Sequence, residues 1–154
     1  MGMVTLTGCG FQPLYQQSIE NSSYEVSIAT LPDREGQILK NELLVLFPKQ
    51  PQAQKRYLVE PTLTFDQSSL GLRRDATAKR QTLTAILAFT LTDQENQRVV
   101  YKDHIMISGS YSVASSTDIG AVSLVASEKD TRMRLLKQAA QEVKLLVASY
   151  LNKG

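Results

Sequence analysis

The sequence has one cysteine, one histidine and no tryptophan in 154 residues. A single thiol cannot close a disulfide within the chain, and one Cys with one His cannot supply a structural zinc site. His104 has no second histidine to form a metal pair and no cysteine nucleophile or Ser-His-Asp order around it, so it reads as a strand histidine rather than a catalytic one. Aromatic residues are only 6% of the chain, too few for the stacking platforms of single-strand binders. The net charge of +2 is too mild by itself to argue nucleic-acid binding, and no nucleic acid is expected as a partner. No apolar run reaches the roughly 18 residues a helix needs to span a bilayer. P-loop and dinucleotide-binding glycine patterns are absent, as are repeats and low-complexity tracts.

What remains is an ordinary globular composition, 42% hydrophobic and 21% charged, long enough for one domain with a core. Tyr24 to Thr30 alternates apolar and polar residues, the pattern of a half-buried strand. In LPDREGQILKNELLVLFP, Leu39, Leu43 and Leu46 recur at helical spacing beside Ile38 and Val45. Asp33 suits the N-cap and Pro48 ends the helix, while Gly36 weakens its first turn. A second strand carries Tyr57, Val59, Leu63 and Phe65 on one face. Pro61 removes a ladder donor there, which predicts an edge position or a bulge. Residues 79–92 form a long third strand through Leu83, Ala85, Leu87, Phe89 and Leu91. DQENQ (93–97) turns it into a fourth, with Val99, Tyr101, Ile105 and Ile107 expected on one face.

From about Thr117 the pattern is helical to the end. Ile119, Val122, Ala126, Met133, Leu136, Ala140, Val143, Val147 and Tyr150 make a stripe interrupted at Lys129. Leu124, Leu135, Leu145 and Leu146 widen it, leaving room for contact outside the domain. Ser115, Ser116 or Thr117 is the expected cap, with Asp118 at the positive end of the helix dipole. The order β-α-β-β-β-α predicts an α+β two-layer domain, two helices packed on a mostly antiparallel four-stranded sheet.

Few residues carry legible chemistry. Leu6-Thr7-Gly8-Cys9 has the form of a bacterial lipobox, in which small side chains admit the peptidase and the thiol takes a diacylglycerol. Eight residues precede Cys9 and none is basic, whereas a signal peptide has a basic start and a longer apolar stretch. Either the start was trimmed or assigned late, or the chain is not exported. Arg73, Arg74, Lys79 and Arg80 are the densest basic cluster, at the connection between the second and third strands. They would suit phosphates or carboxylates, and equally a solvated loop. Asp93, Glu95, Asp103, Asp118, Glu128 and Asp130 are scattered and read as solvation rather than acid–base work. Ser108 to Ser116 is rich in small polar residues. It reads as a loop, or as a surface that seats an extended strand or lines a narrow passage.

Three stretches together resemble a known family. CGFQPLY (9–15), PDREGQILKNEL (32–43) and SYSVASS (110–116) ahead of a basic, alanine-containing helix look like the LPS-assembly lipoproteins, LptE, in their alphaproteobacterial branch. The middle motif is the most specific, and the match runs over nearly the whole chain after residue 9. The departures are the short leader and Ser127-Glu128-Lys129-Asp130-Thr131, where family members read more alanine-rich. The resemblance implies a non-enzymatic Gram-negative lipoprotein of the outer membrane, facing the periplasm and anchored by palmitate-type acyl chains on Cys9. It implies two helices on a four-stranded sheet, and a partner: the LptD β-barrel, whose lumen the protein plugs during lipopolysaccharide transport. Direct lipopolysaccharide binding through Arg73, Arg74, Lys79 and Arg80 is an expectation from charge alone. Residues 1–8 would then be the remainder of a signal peptide, 9–23 the lipidated Cys and tether, and 24–154 the single domain. No metal and no cofactor beyond the covalent lipid are expected. A lipoprotein adaptor of another envelope machine and a small periplasmic hydrolase are the competing readings.

Overall fold

The structure, a computed structural model, describes residues 23–70, 78–114 and 118–153. Six elements follow in the order expected: β1 (Tyr24–Ile28), α1 (Arg34–Leu46), β2 (Lys55–Leu70), β3 (Ala78–Asp93), β4 (Arg98–Ala114) and α2 (Asp118–Leu151). One sheet holds the strands in the order β1-β2-β3-β4. β1 runs parallel to β2, and the other two pairings are antiparallel. The two helices pack side by side on one face, giving the α+β two-layer arrangement.

α1 begins where Asp33 accepts a hydrogen bond from Gly36 N–H at 2.5 Å, the capping geometry that satisfies an orphan helix donor. Leu39 and Leu43 are fully buried, whereas Val45 is 78% exposed and points away from the core. Gly36 does more than weaken the first turn: it is buried against Leu31, and a side-chain methyl there would overlap Leu31 Cβ.

Pro61 sits where the ladder can spare it. Ala29 N–H donates to Val59 O at 2.9 Å, so the backbone of Val59 faces β1. Two residues on, Pro61 faces the same edge, just past the end of β1, which pairs only with Lys55 to Val59. Beyond that point the same edge of β2 has no neighbouring strand among the described residues.

Two expectations about β4 are corrected. Leu91 pairs with Tyr101 but Thr92 pairs with Val99, so Val100 is an extra residue in a bulge. The bulge breaks the two-residue period: Val100 packs on the core and Val99 is 60% exposed. The segment from Ser108 is not a loop but the second half of the strand, in register with β3 as far as Ala114. Residues 115–117, the expected helix caps, lie outside the described residues.

The elements differ in length. α2 has 34 residues, about 51 Å, and β4 has 17, about 56 Å. α1 has only 13, about 20 Å, and β1 has five. The core divides accordingly. Its main part takes residues from all six elements, including Val26, Leu39, Leu43, Val59, Leu87, Phe89, Leu136 and Val143. A smaller cluster of Leu83, Ala85, Tyr111 and Leu135 lies where, among the described residues, α2 alone covers the sheet. Here α2 turns Leu124, Thr131 and Leu135 inward, and the stripe residues Ala126 and Met133 are exposed. Gly109 of β4 admits the close approach: a methyl there would lie 3.2 Å from Thr131 Cγ2 and 3.3 Å from Leu135 Cδ2.

Candidate functional site

Cys9, Arg73 and Arg74 lie outside the described residues. Lys79 and Arg80 open β3, where their register partners are Val113 and Ser112, and Arg80 is exposed. His104 is also exposed. Its backbone N–H donates to Asp103 Oδ1, and its register partner is Ala88. Among the described residues no three His, Cys, Asp or Glu side chains gather in a metal-binding set.

Among the described residues, no element covers the face of the sheet away from the helices. Its cross-strand rows include Thr62–Ala88–His104, Thr64–Ile86–Met106, Asp66–Thr84–Ser108 and Ser68–Thr82–Ser110. Hydroxyl side chains dominate, and Thr84 and Ser108 are joined at 2.8 Å. Met106, 66% exposed, stands out from this field as a large apolar side chain. The β-branched threonines suit a pleated surface, and their hydroxyls with those of the serines suit one that stays wet or meets a polar wall.

Between the layers, at the end past α1, lies a polar network. Tyr111 is buried, its hydroxyl accepting from Gln67 Nε2 at 2.8 Å and donating to Gln81 Oε1 at 2.9 Å. Burial chiefly, then Glu128, pushes this phenol above its ordinary value. Arg132 sits over the Phe65 ring at 4.7 Å. Its guanidinium donates to Glu128 Oε1 at 2.8 and 3.1 Å and lies 3.7 Å from Glu35 of α1. One side chain thus ties together both helices and β2.

Beside this network the first turn of α1 and the middle of α2 enclose a cleft of about 190 Å³. Its walls carry Arg34, Lys129, Val125 and Met133, with Leu136 at its base. Little of this arrangement is legible in the sequence. Glu128 and Arg132 stand four apart, a spacing that marks a helical ion pair. Nothing in the sequence says that Glu35 and Phe65 meet them.

The comparisons with known proteins bear on the fold. No protein-family model matches the chain, and no curated protein matches its sequence. Solved structures do match. A proposed lipoprotein from Caulobacter crescentus superposes with a TM-score of 0.63 at 19% identity, over 84% of this chain and 92% of its own. Rare lipoprotein B from Shewanella oneidensis gives 0.52 at 14% identity, over 82% and 93%. An uncharacterized lipoprotein B from Nitrosomonas europaea gives 0.55 at 14% identity, over 94% and 96%. The architecture is therefore one that bacterial lipoproteins use, matched across most of the length on both sides.

Proposed function

We propose that the protein is an envelope lipoprotein, anchored through acyl chains on Cys9, that acts by binding rather than by catalysis. The observation that carries the reading is a coincidence of two independent features. The fold matches lipoproteins over nearly the whole domain, and a Leu6-Thr7-Gly8-Cys9 lipobox stands ahead of the first strand of that domain. Two or more acyl chains give stable anchoring where one alone is marginal.

In its finer form the reading is the one the motif resemblance implies: an outer-membrane protein on the periplasmic side, plugging an LptD-type barrel during lipopolysaccharide insertion. The hydroxyl-rich uncovered sheet face supports it, because the lumen of such a barrel is polar. Charge alone, and not the resemblance, suggests Arg73, Arg74, Lys79 and Arg80 as the residues that would meet lipopolysaccharide phosphates.

Mass spectrometry of the protein isolated from its native membrane tests the anchor. An acylated Cys9 at the N-terminus is expected, and an intact Met1 with a free thiol would remove the reading. Co-expression with the barrel tests the partner. A one-to-one complex that survives mild detergent is expected; recovery of free monomer alone leaves the adaptor of another envelope machine as the better account.

A further inference from the structure

We propose that the cleft between the first turn of α1 and the middle of α2 docks a segment of a partner protein that presents one large apolar side chain flanked by carboxylates. The inference does not depend on the lipid anchor or on the identity of any barrel.

Charge is the first argument. The two carboxylates at the cleft, Glu35 and Glu128, are both taken by Arg132, at 3.7 and 2.8 Å. That leaves Arg34 on one wall and Lys129 on the other, both exposed, with no ion pair among the described residues. A scattered surface cation needs no partner. Here two stand on opposite sides of one concavity, where a ligand between them would feel both.

The apolar surface is the second. Val125 is 66% exposed and Met133 38%, and both line the same concavity above the buried Leu136. Lone exposed apolar residues are commonplace. Two of them converging on a hollow that also carries two unpaired cations make an apolar lining with a cationic rim, the anatomy of a small interface core with its polar surround.

Size decides between occupants. A pocket that encloses a small molecule or lipid portion is typically about 300–1,000 Å³. This cleft, at about 190 Å³, is closer to the roughly 150 Å³ cavity that accepts a single benzene ring. It takes one side chain of Leu, Met or Phe size and not an acyl chain. The walls are also held in place, since Arg132 joins α1 to α2 beneath the rim. A pre-formed site lowers the ordering cost of binding.

The test uses the full chain with methyl-labelled Val and Met, observed by NMR. The probes are a short peptide with a central Leu between Asp residues, its Lys-flanked counterpart, and decanoate. The acidic peptide is expected to move the Val125 and Met133 methyl signals saturably, and the Lys-flanked peptide to leave them in place. Arg34→Gln with Lys129→Gln should weaken the acidic peptide about tenfold, and added salt should do the same. Val125→Asp should abolish its binding. All three sites are exposed, so an unchanged thermal midpoint will show that the variants fold. Equal binding of the two peptides, or no effect of the double substitution, would overturn the proposal. So would decanoate binding without the acidic peptide, which makes this a lipid site, or signals that move with protein concentration alone, which makes it a contact between copies.

Discussion

A methyl group at Gly36 has nowhere to go. It would overlap Leu31 Cβ and lie 2.7 Å from Asp33 Oδ1, the atom that caps the helix. On an open helix, replacing Gly by Ala gains about 1 kcal/mol from propensity. Here the sign reverses, because the cap and the Leu31 contact are both disturbed: Gly36→Ala should cost about 2 kcal/mol in urea denaturation. Gly109 provides the contrast. A methyl there meets side-chain atoms at 3.2 and 3.3 Å, which can shift by tenths of an ångström, so Gly109→Ala should cost less than about 1 kcal/mol. Equal costs at the two sites would show that the Asp33 cap geometry is not what fixes Gly36. From sequence Gly36 is merely a glycine in a helix, and Gly109 one small residue among many in the stretch 108–116. What distinguishes them is the neighbour that packs against each, and no local pattern carries that.

Among the elements, α1 and the β2–β3–β4 meander were legible because each buries one regular face. Leu39 and Leu43 in α1, and Leu83 to Leu91 in β3, fall where their periods put them. The misreadings sit where a second rule intervenes. The bulge at Val100 inverts the period for Val99, and no turn or glycine in the sequence announces it. The stripe of α2 holds from Leu136 to Val147, where α1 and the sheet both press on the helix. It fails toward Met133, because α1 has begun only at Arg34 and the sheet is then the helix's remaining partner among the described residues. Arg132 bridges that junction. Arg132→Ala removes two carboxylate contacts and a ring contact together and should cost about 1–2 kcal/mol in thermal or urea denaturation. Arg132→Lys should recover only part of this, since a lysine cannot reproduce the planar fork that donates from two nitrogens to Glu128. Full recovery by lysine would reduce the junction to simple charge.

For the whole molecule the unequal element lengths matter most. A long sheet and a long helix share a short α1 and a short β1, so among the described residues one end has both helices on the sheet and the other has α2 alone. Stability should be graded to match. Amides of β3 around Leu87 to Leu91 should exchange only through global unfolding, and those of α2 ahead of Thr131 through a smaller opening. Hydrogen exchange with uniform protection along α2 would contradict that grading. The same asymmetry explains why the cleft escaped the sequence. Its walls come from residues about a hundred positions apart, and it exists because one helix starts partway along another. The lipobox-like Leu6-Thr7-Gly8-Cys9, on which the proposed anchor rests, is by contrast a contiguous tetrapeptide.

The parallel pairing of β1 has a mechanical consequence. Its five register pairs align Tyr24 with Lys55 and Ile28 with Val59. Tension applied through the chain ahead of Ser23 along the strand would load these pairs together, in shear. Pulling across the strand would load them one at a time, as in peeling. If Cys9 is the anchor, a domain tugged along this strand against the membrane would hold through a short strand in the geometry that spreads the load.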